Sequence, residues 1–137
     1  MKRLLAIAAG VMLLASSAVA DLWWADSYKE ALKQAKEEHK IVMLMFSSPT
    51  CGVCHTMKAE VFEDDRVFAY IEKHFVPVDI DVRQHPDKLG FRVFGTPTFY
   101  FLDGDGKEVA PPKIGGAYAP AFLRQLKKVV ETAEKGR

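Results

Sequence analysis

Ile41-Val42-Met43-Leu44-Met45-Phe46-Ser47-Ser48-Pro49-Thr50-Cys51-Gly52-Val53-Cys54-His55 is the stretch that decides how this chain is read. Residues 41–46 contain no polar side chain, which suits a strand buried on both faces. Residues 47–50 read as a loop, and a helix is expected from Cys51 onward. Cys51 and Cys54 are the only two cysteines of the chain. Three residues is about one helical turn, so both sulfurs fall on one face within disulfide reach. Such a pair can pass between dithiol and disulfide without moving the fold. His55 follows at once, so the same letters also read C-x-x-C-H, a haem-attachment pattern.

Working outward, Cys54, Met57 and Val61 recur at helical spacing after the motif, and a further helical piece carries Val67, Phe68, Tyr70 and Ile71. Upstream, Ser27-Tyr28-Lys29-Glu30 is a capping box that opens a helix to about His39, with Tyr28, Ala31, Leu32 and Ala35 on one side. Downstream, residues 75–82 alternate as a strand, with Asp79 and Asp81 on its solvent side. Pro86 opens a short helix ending at Gly90. Residues 98–102 form another strand, and Asp103-Gly104-Asp105-Gly106 is a hairpin signal that returns the chain as residues 107–110. Pro120 begins the last helix, whose apolar stripe is Phe122, Leu123, Leu126, Val129, Val130 and Ala133. Early strands separated by helices favour parallel pairing, and the final hairpin is antiparallel. An α/β fold follows, with a central mixed β-sheet flanked by helices on both faces. Trp23 and Trp24 are expected to cover the core near the first helix.

The chain opens with Lys2 and Arg3, an uncharged apolar stretch over residues 4–15, and the small-x-small site Ala18-Val19-Ala20. Residues 1–20 therefore read as a cleaved secretory signal, and 21–137 as the mature domain. Its balance is 17 basic to 18 acidic residues once Lys2 and Arg3 are removed from the 19 of the whole chain. Nothing in that balance points to nucleic acid or a membrane surface. Export puts both cysteines in an oxidising compartment. A purely structural disulfide here would close a loop of two residues, which restricts the unfolded chain little. The pair is better suited to reaction than to stapling.

Taken together, the buried strand leading into Cys51-Gly52-Val53-Cys54, the strand Val78-Asp79-Ile80-Asp81 before Gln84-His85-Pro86, and Phe94-Gly95-Thr96-Pro97-Thr98-Phe99 before the Asp-Gly hairpin resemble the thioredoxin-fold family. Cys54-His55-Thr56-Met57, Val61-Phe62 and Phe75-Val76-Pro77-Val78-Asp79 are similar to exported members such as the C-terminal domain of DsbD and to sulfur-oxidation-associated thioredoxins. Two departures stand out. Met45 occupies the position of the family's buried aspartate, with Pro77 or Val78 at that of its lysine partner. Thr50 replaces the tryptophan before the first cysteine, which alters the docking surface.

The resemblance implies a thiol:disulfide oxidoreductase that needs no cofactor. Cys51, at a helix start whose free N–H groups favour negative charge, is the attacking thiolate, with a pKa below the free-thiol value of about 8.5. Cys54 resolves the mixed disulfide. Pro97 is implied to be cis, with Thr96 pairing with an extended partner peptide and Thr50 at the same surface. His55 and Glu60 are candidate modulators of the cysteine protons. The expected partners are disulfide-containing proteins or thiol substrates, with a membrane thiol electron carrier as donor, in the periplasm and as a monomer. A reductant is favoured, with a dithiol oxidase as runner-up. A c-type haem protein would consume both thiols and use His55 as ligand, but no methionine follows Met57 to serve as the distal one, which leaves only His74 or His85 for that place. Zinc lacks a second clustered ligand pair. A redox-inactive docking module is the remaining class, against which the intact cysteines argue.

Overall fold

A computed structural model describes residues 21–137; the expected leader, 1–20, lies outside the described residues. β1 (Ile41–Ser47) is the axis of the sheet. It pairs in parallel with β2 (Phe75–Asp81) on one side and antiparallel with β3 (Thr98–Leu102) on the other, giving the order β2-β1-β3-β4 with β4 (Glu108–Ile114) at the edge. A strand with neighbours on both edges and helices on both faces has no position where a polar side chain reaches water, hence the unbroken apolar run.

Alternate residues of β1 feed two cores. Met43 and Met45 face Phe99 and Phe101 together with α2 (Gly52–Thr56), α3 (Asp65–His74) and α4 (Ala119–Lys135). Val42, Leu44 and Phe46 face Tyr100, Leu102 and α1 (Tyr28–Glu38). Ser27 caps α1 by accepting the Glu30 N–H at 3.1 Å, and His39 ends it in the left-handed conformation. Ala31 and Ala35 are the buried residues of α1, small enough to let it lie close on the sheet. The hairpin turn lies equally close, because a Cβ on Gly104 would stand 2.6 Å from the Lys36 Cβ. Asp64 caps α3 through the Arg66 and Val67 N–H groups.

Three details depart from the sequence reading. β4 continues through Pro111 and Pro112 to Ile114 instead of ending near Ala110. It is an edge strand, where a residue without an N–H costs no ladder bond. The short helix expected from Pro86 does end at Gly90 but shrinks to a single 3₁₀ turn, Lys88–Gly90, with Lys88 and Leu89 at φ 50° and 52°. That left-handed backbone cannot propagate a helix. Trp24 packs edge-on against Phe62 at 5.4 Å, whereas Trp23 is half exposed and covers little.

Candidate active site

Three loops meet at one end of the sheet. The register pairs Phe46 with Thr98, and Thr98 with Ile114. The loop leaving β1, the loop entering β3 and the loop leaving β4 therefore emerge side by side.

The first loop carries the cysteines. The Cys51 N–H bonds the Ser48 carbonyl at 3.0 Å, and the Ser48 and Thr50 hydroxyls lie 3.1 Å apart. Cys51 is the N-cap of α2 in an extended conformation, and its Sγ accepts the Cys54 N–H at 3.1 Å. An anionic sulfur at this position would meet the positive end of the helix and a donor already aimed at it. Cys51 and Cys54 are joined as a disulfide, with Cα atoms 5.2 Å apart. Their environments differ sharply. Cys54 is 2% exposed, inside the core with Met45 and Met57, while Cys51 is only partly covered. A partner can reach one sulfur and not the other.

After Thr56 the helix widens into a π turn, Met57–Val61. The expected inward positions Cys54, Met57 and Val61 are all buried. His55 points back over the loop, where its Nε2 donates to the Pro49 carbonyl at 2.8 Å. A carbonyl can only accept, so the contact assigns the proton to Nε2. The imidazole thus clips the loop to the helix instead of facing a sulfur. The sulfurs and the imidazole nitrogen that a haem would engage are bound to each other and to backbone. Glu60 is exposed on the outer side of the turn.

The second loop holds the Thr96–Pro97 bond, which is cis. It is pinned from three sides. The Thr98 hydroxyl donates to the Gly95 carbonyl at 2.7 Å, the Gly115 N–H to the Pro97 carbonyl at 2.8 Å, and the Tyr100 hydroxyl to the Arg92 carbonyl at 2.6 Å. Among the described residues, no hydrogen bond engages the backbone N–H or carbonyl of Thr96. Those groups are open to an added strand.

The third loop, 115–118, closes on α2. A Cβ on Gly116 would stand 2.5 Å from Val53 Cγ1, so any larger residue here would have to displace the Val53 side chain. The Ala117 N–H donates to the Met57 sulfur at 3.4 Å. Lys113, whose ammonium is pushed below its ordinary pKa by burial, donates to the Gly116 carbonyl at 3.3 Å. Between the helix and this loop runs a groove of about 780 Å³ that includes Val53, Met57, Ala117 and Tyr118. Val53, Phe94, Ile114 and Tyr118 are each more than half exposed. The rim of the cysteine pair is thus apolar.

The acid that position 45 lacks has a neighbour one strand over. Met45 is fully buried and in register with Asp79 of β2. Asp79 is not the solvent-facing residue that strand alternation suggests. Its carboxylate accepts from the Ser47 hydroxyl and pairs with the Lys58 ammonium. Lys58 follows Cys54 by four residues. Asp81, two residues on, is committed elsewhere: the Arg83 N–H and guanidinium hold its carboxyl below the usual carboxylate range. The sequence reading missed Lys58, Asp79 and Gly116. Lys58 at i+4 from Cys54 was the available signal for the first.

A C-x-x-C disulfide at a helix start, beside a cis-proline loop on a β2-β1-β3-β4 sheet, defines a thioredoxin-fold protein equipped for thiol–disulfide redox chemistry. The chain matches the thioredoxin-like domain over residues 28–130 and belongs to that family. It is 32% identical over 127 residues to the disulfide bond reductase DsbH of Chlamydia pneumoniae, covering 80% of this chain and 76% of that protein. It is 28% identical over 109 residues to the thiol:disulfide interchange protein DsbD of Ralstonia nicotianae, covering 77% of this chain but 18% of that much longer protein. The solution structure of a thioredoxin from Thermus thermophilus superposes with a TM-score of 0.71 at 32% identity, over 86% of this chain and 95% of that one.

Proposed function

We propose that this protein is an exported thiol:disulfide oxidoreductase that reduces disulfides of periplasmic partners. The observation that carries the reading is the asymmetry of the pair, a reachable Cys51 at the helix start and a Cys54 that is 2% exposed. In the dithiol form, the Cys51 thiolate attacks one sulfur of the partner disulfide. A Cys51–partner bond forms, and the partner's other sulfur leaves as thiolate. Cys54 then loses its proton and attacks Cys51 Sγ. The Cys51–Cys54 bond forms and the partner is released with both sulfurs reduced. Two electrons have passed from the protein to the partner, and a thiol donor must return them. A membrane thiol carrier would do so for an exported protein. The reductant direction is supported by the similarity to a protein named a disulfide bond reductase. The apolar rim and the open Thr96 backbone suit an extended segment of an unrelated partner.

Cys54→Ser tests the order of events. The variant is expected to accumulate Cys51-linked mixed disulfides with a disulfide-containing target, seen as a non-reducing gel shift that dithiothreitol removes. Undiminished multiple turnover in this variant would contradict the mechanism.

A further inference from the structure

The resolving step requires Cys54 to lose a proton inside the core, and the buried position usually held by an acid in this fold is Met45, fully buried here. Asp79 is in register with Met45 on the adjacent parallel strand, so both side chains lie on the sheet face that Cys54 packs against. The carboxylate is held from two sides, by the Ser47 hydroxyl and by the ammonium of Lys58. Residues four apart on a helix are surface neighbours, so Lys58 brings this network beside the turn that carries Cys54. Asp79 is only partly buried, so water can reach its carboxylate. The other polar groups nearby are taken: Asp81 by Arg83, and His55 by the Pro49 carbonyl.

We propose that the Ser47–Asp79–Lys58 network is the proton relay of Cys54, standing in for an acid at position 45. The Asp79 carboxylate takes the Cys54 thiol proton through one bridging water. The Cys54 thiolate attacks Cys51 Sγ, the Cys51–partner bond breaks, and the partner thiolate departs. Asp79 then returns its proton to solvent. Lys58 keeps the carboxylate in place, and Ser47 fixes its second oxygen. Both are positioning residues.

The inference rests on the Cys51–Cys54 cycle, so its test must separate the two cysteines. The reduced protein, mixed rapidly with dithiobis-nitrobenzoate, releases one thionitrobenzoate when Cys51 attacks and a second when Cys54 resolves the adduct. Asp79→Asn is expected to slow the second phase relative to the first by at least about tenfold at neutral pH, at or below the 10²–10⁴ that positioned bases contribute. The slowed phase should climb with pH until solvent hydroxide replaces the lost acceptor, and Asp79→Glu should recover most of the rate. Should Asp79→Asn not fold, Lys58→Met is expected to slow the second phase severalfold with the same pH signature. A folded Asp79→Asn with the wild-type phase ratio and pH profile would overturn the relay. Absence of the two-phase release in the unaltered protein would instead overturn the Cys51–Cys54 cycle itself.

Discussion

Cys51→Ser reduces protein disulfides no faster than buffer does. The substitution removes the only sulfur a partner can reach, since Cys54 is 2% exposed and sealed by Met45 and Met57. Serine cannot compensate, because its hydroxyl stays protonated where a thiol at a helix start ionises, and only the thiolate attacks. The donor geometry at this position, the Cys54 N–H on Sγ at 3.1 Å, is then spent on a hydroxyl. Insulin precipitation in the presence of dithiothreitol measures the loss. The fold should persist, because the disulfide closes a loop too short to constrain the unfolded chain much. A melting curve close to that of the reduced parent protein separates lost chemistry from lost structure.

Phe62→Ala is the substitution expected to cost most stability. Phe62 is 1% exposed and sits among Trp24, Phe99 and Phe122, with ring centroids 5.4, 6.3 and 5.7 Å away. Three rings from different parts of the chain cannot all collapse into the space it leaves. Truncating such a side chain costs about 3–5 kcal/mol. For a domain of this size that lowers the melting temperature by roughly 10–20 °C. Urea titration should show the midpoint falling with little change in slope, the mark of lost packing rather than a changed unfolded state. Phe62 also ends the π turn through its N–H to the Met57 carbonyl at 2.9 Å, so the cavity opens beneath the segment that holds Cys54.

Much of this molecule was legible in its letters because its strong signals are local. The apolar run of β1, the Ser27 cap, the Asp-Gly hairpin and the stripe of α4 each act over a few residues, and the structure contains all four. The cysteine pair was legible for the same reason. The cis Thr96–Pro97 bond came from the resemblance, since nothing in the residues flanking Pro97 sets its isomer. What escaped is tertiary. Asp79 reads as a solvent-side strand residue by alternation, and only the β1–β2 register reveals that it lies beside Met45. Gly116 looks like any loop glycine until Val53 is seen against it. His55 could be read as a haem ligand or a modulator of a cysteine, whereas its partner is a carbonyl six residues back, across a loop whose path the sequence does not specify.

The most direct test of the account is a titration of the Cys51–Cys54 couple against a thiol–disulfide buffer, read by alkylating the free thiols and weighing the protein. The account predicts one reversible two-electron transition with a potential near or below the −270 mV or so of thioredoxin, low enough to reduce strained or exposed partner disulfides. A value near the −120 mV or so of a strong dithiol oxidant would contradict the reductant direction, and a pair that does not titrate at all would contradict the redox role.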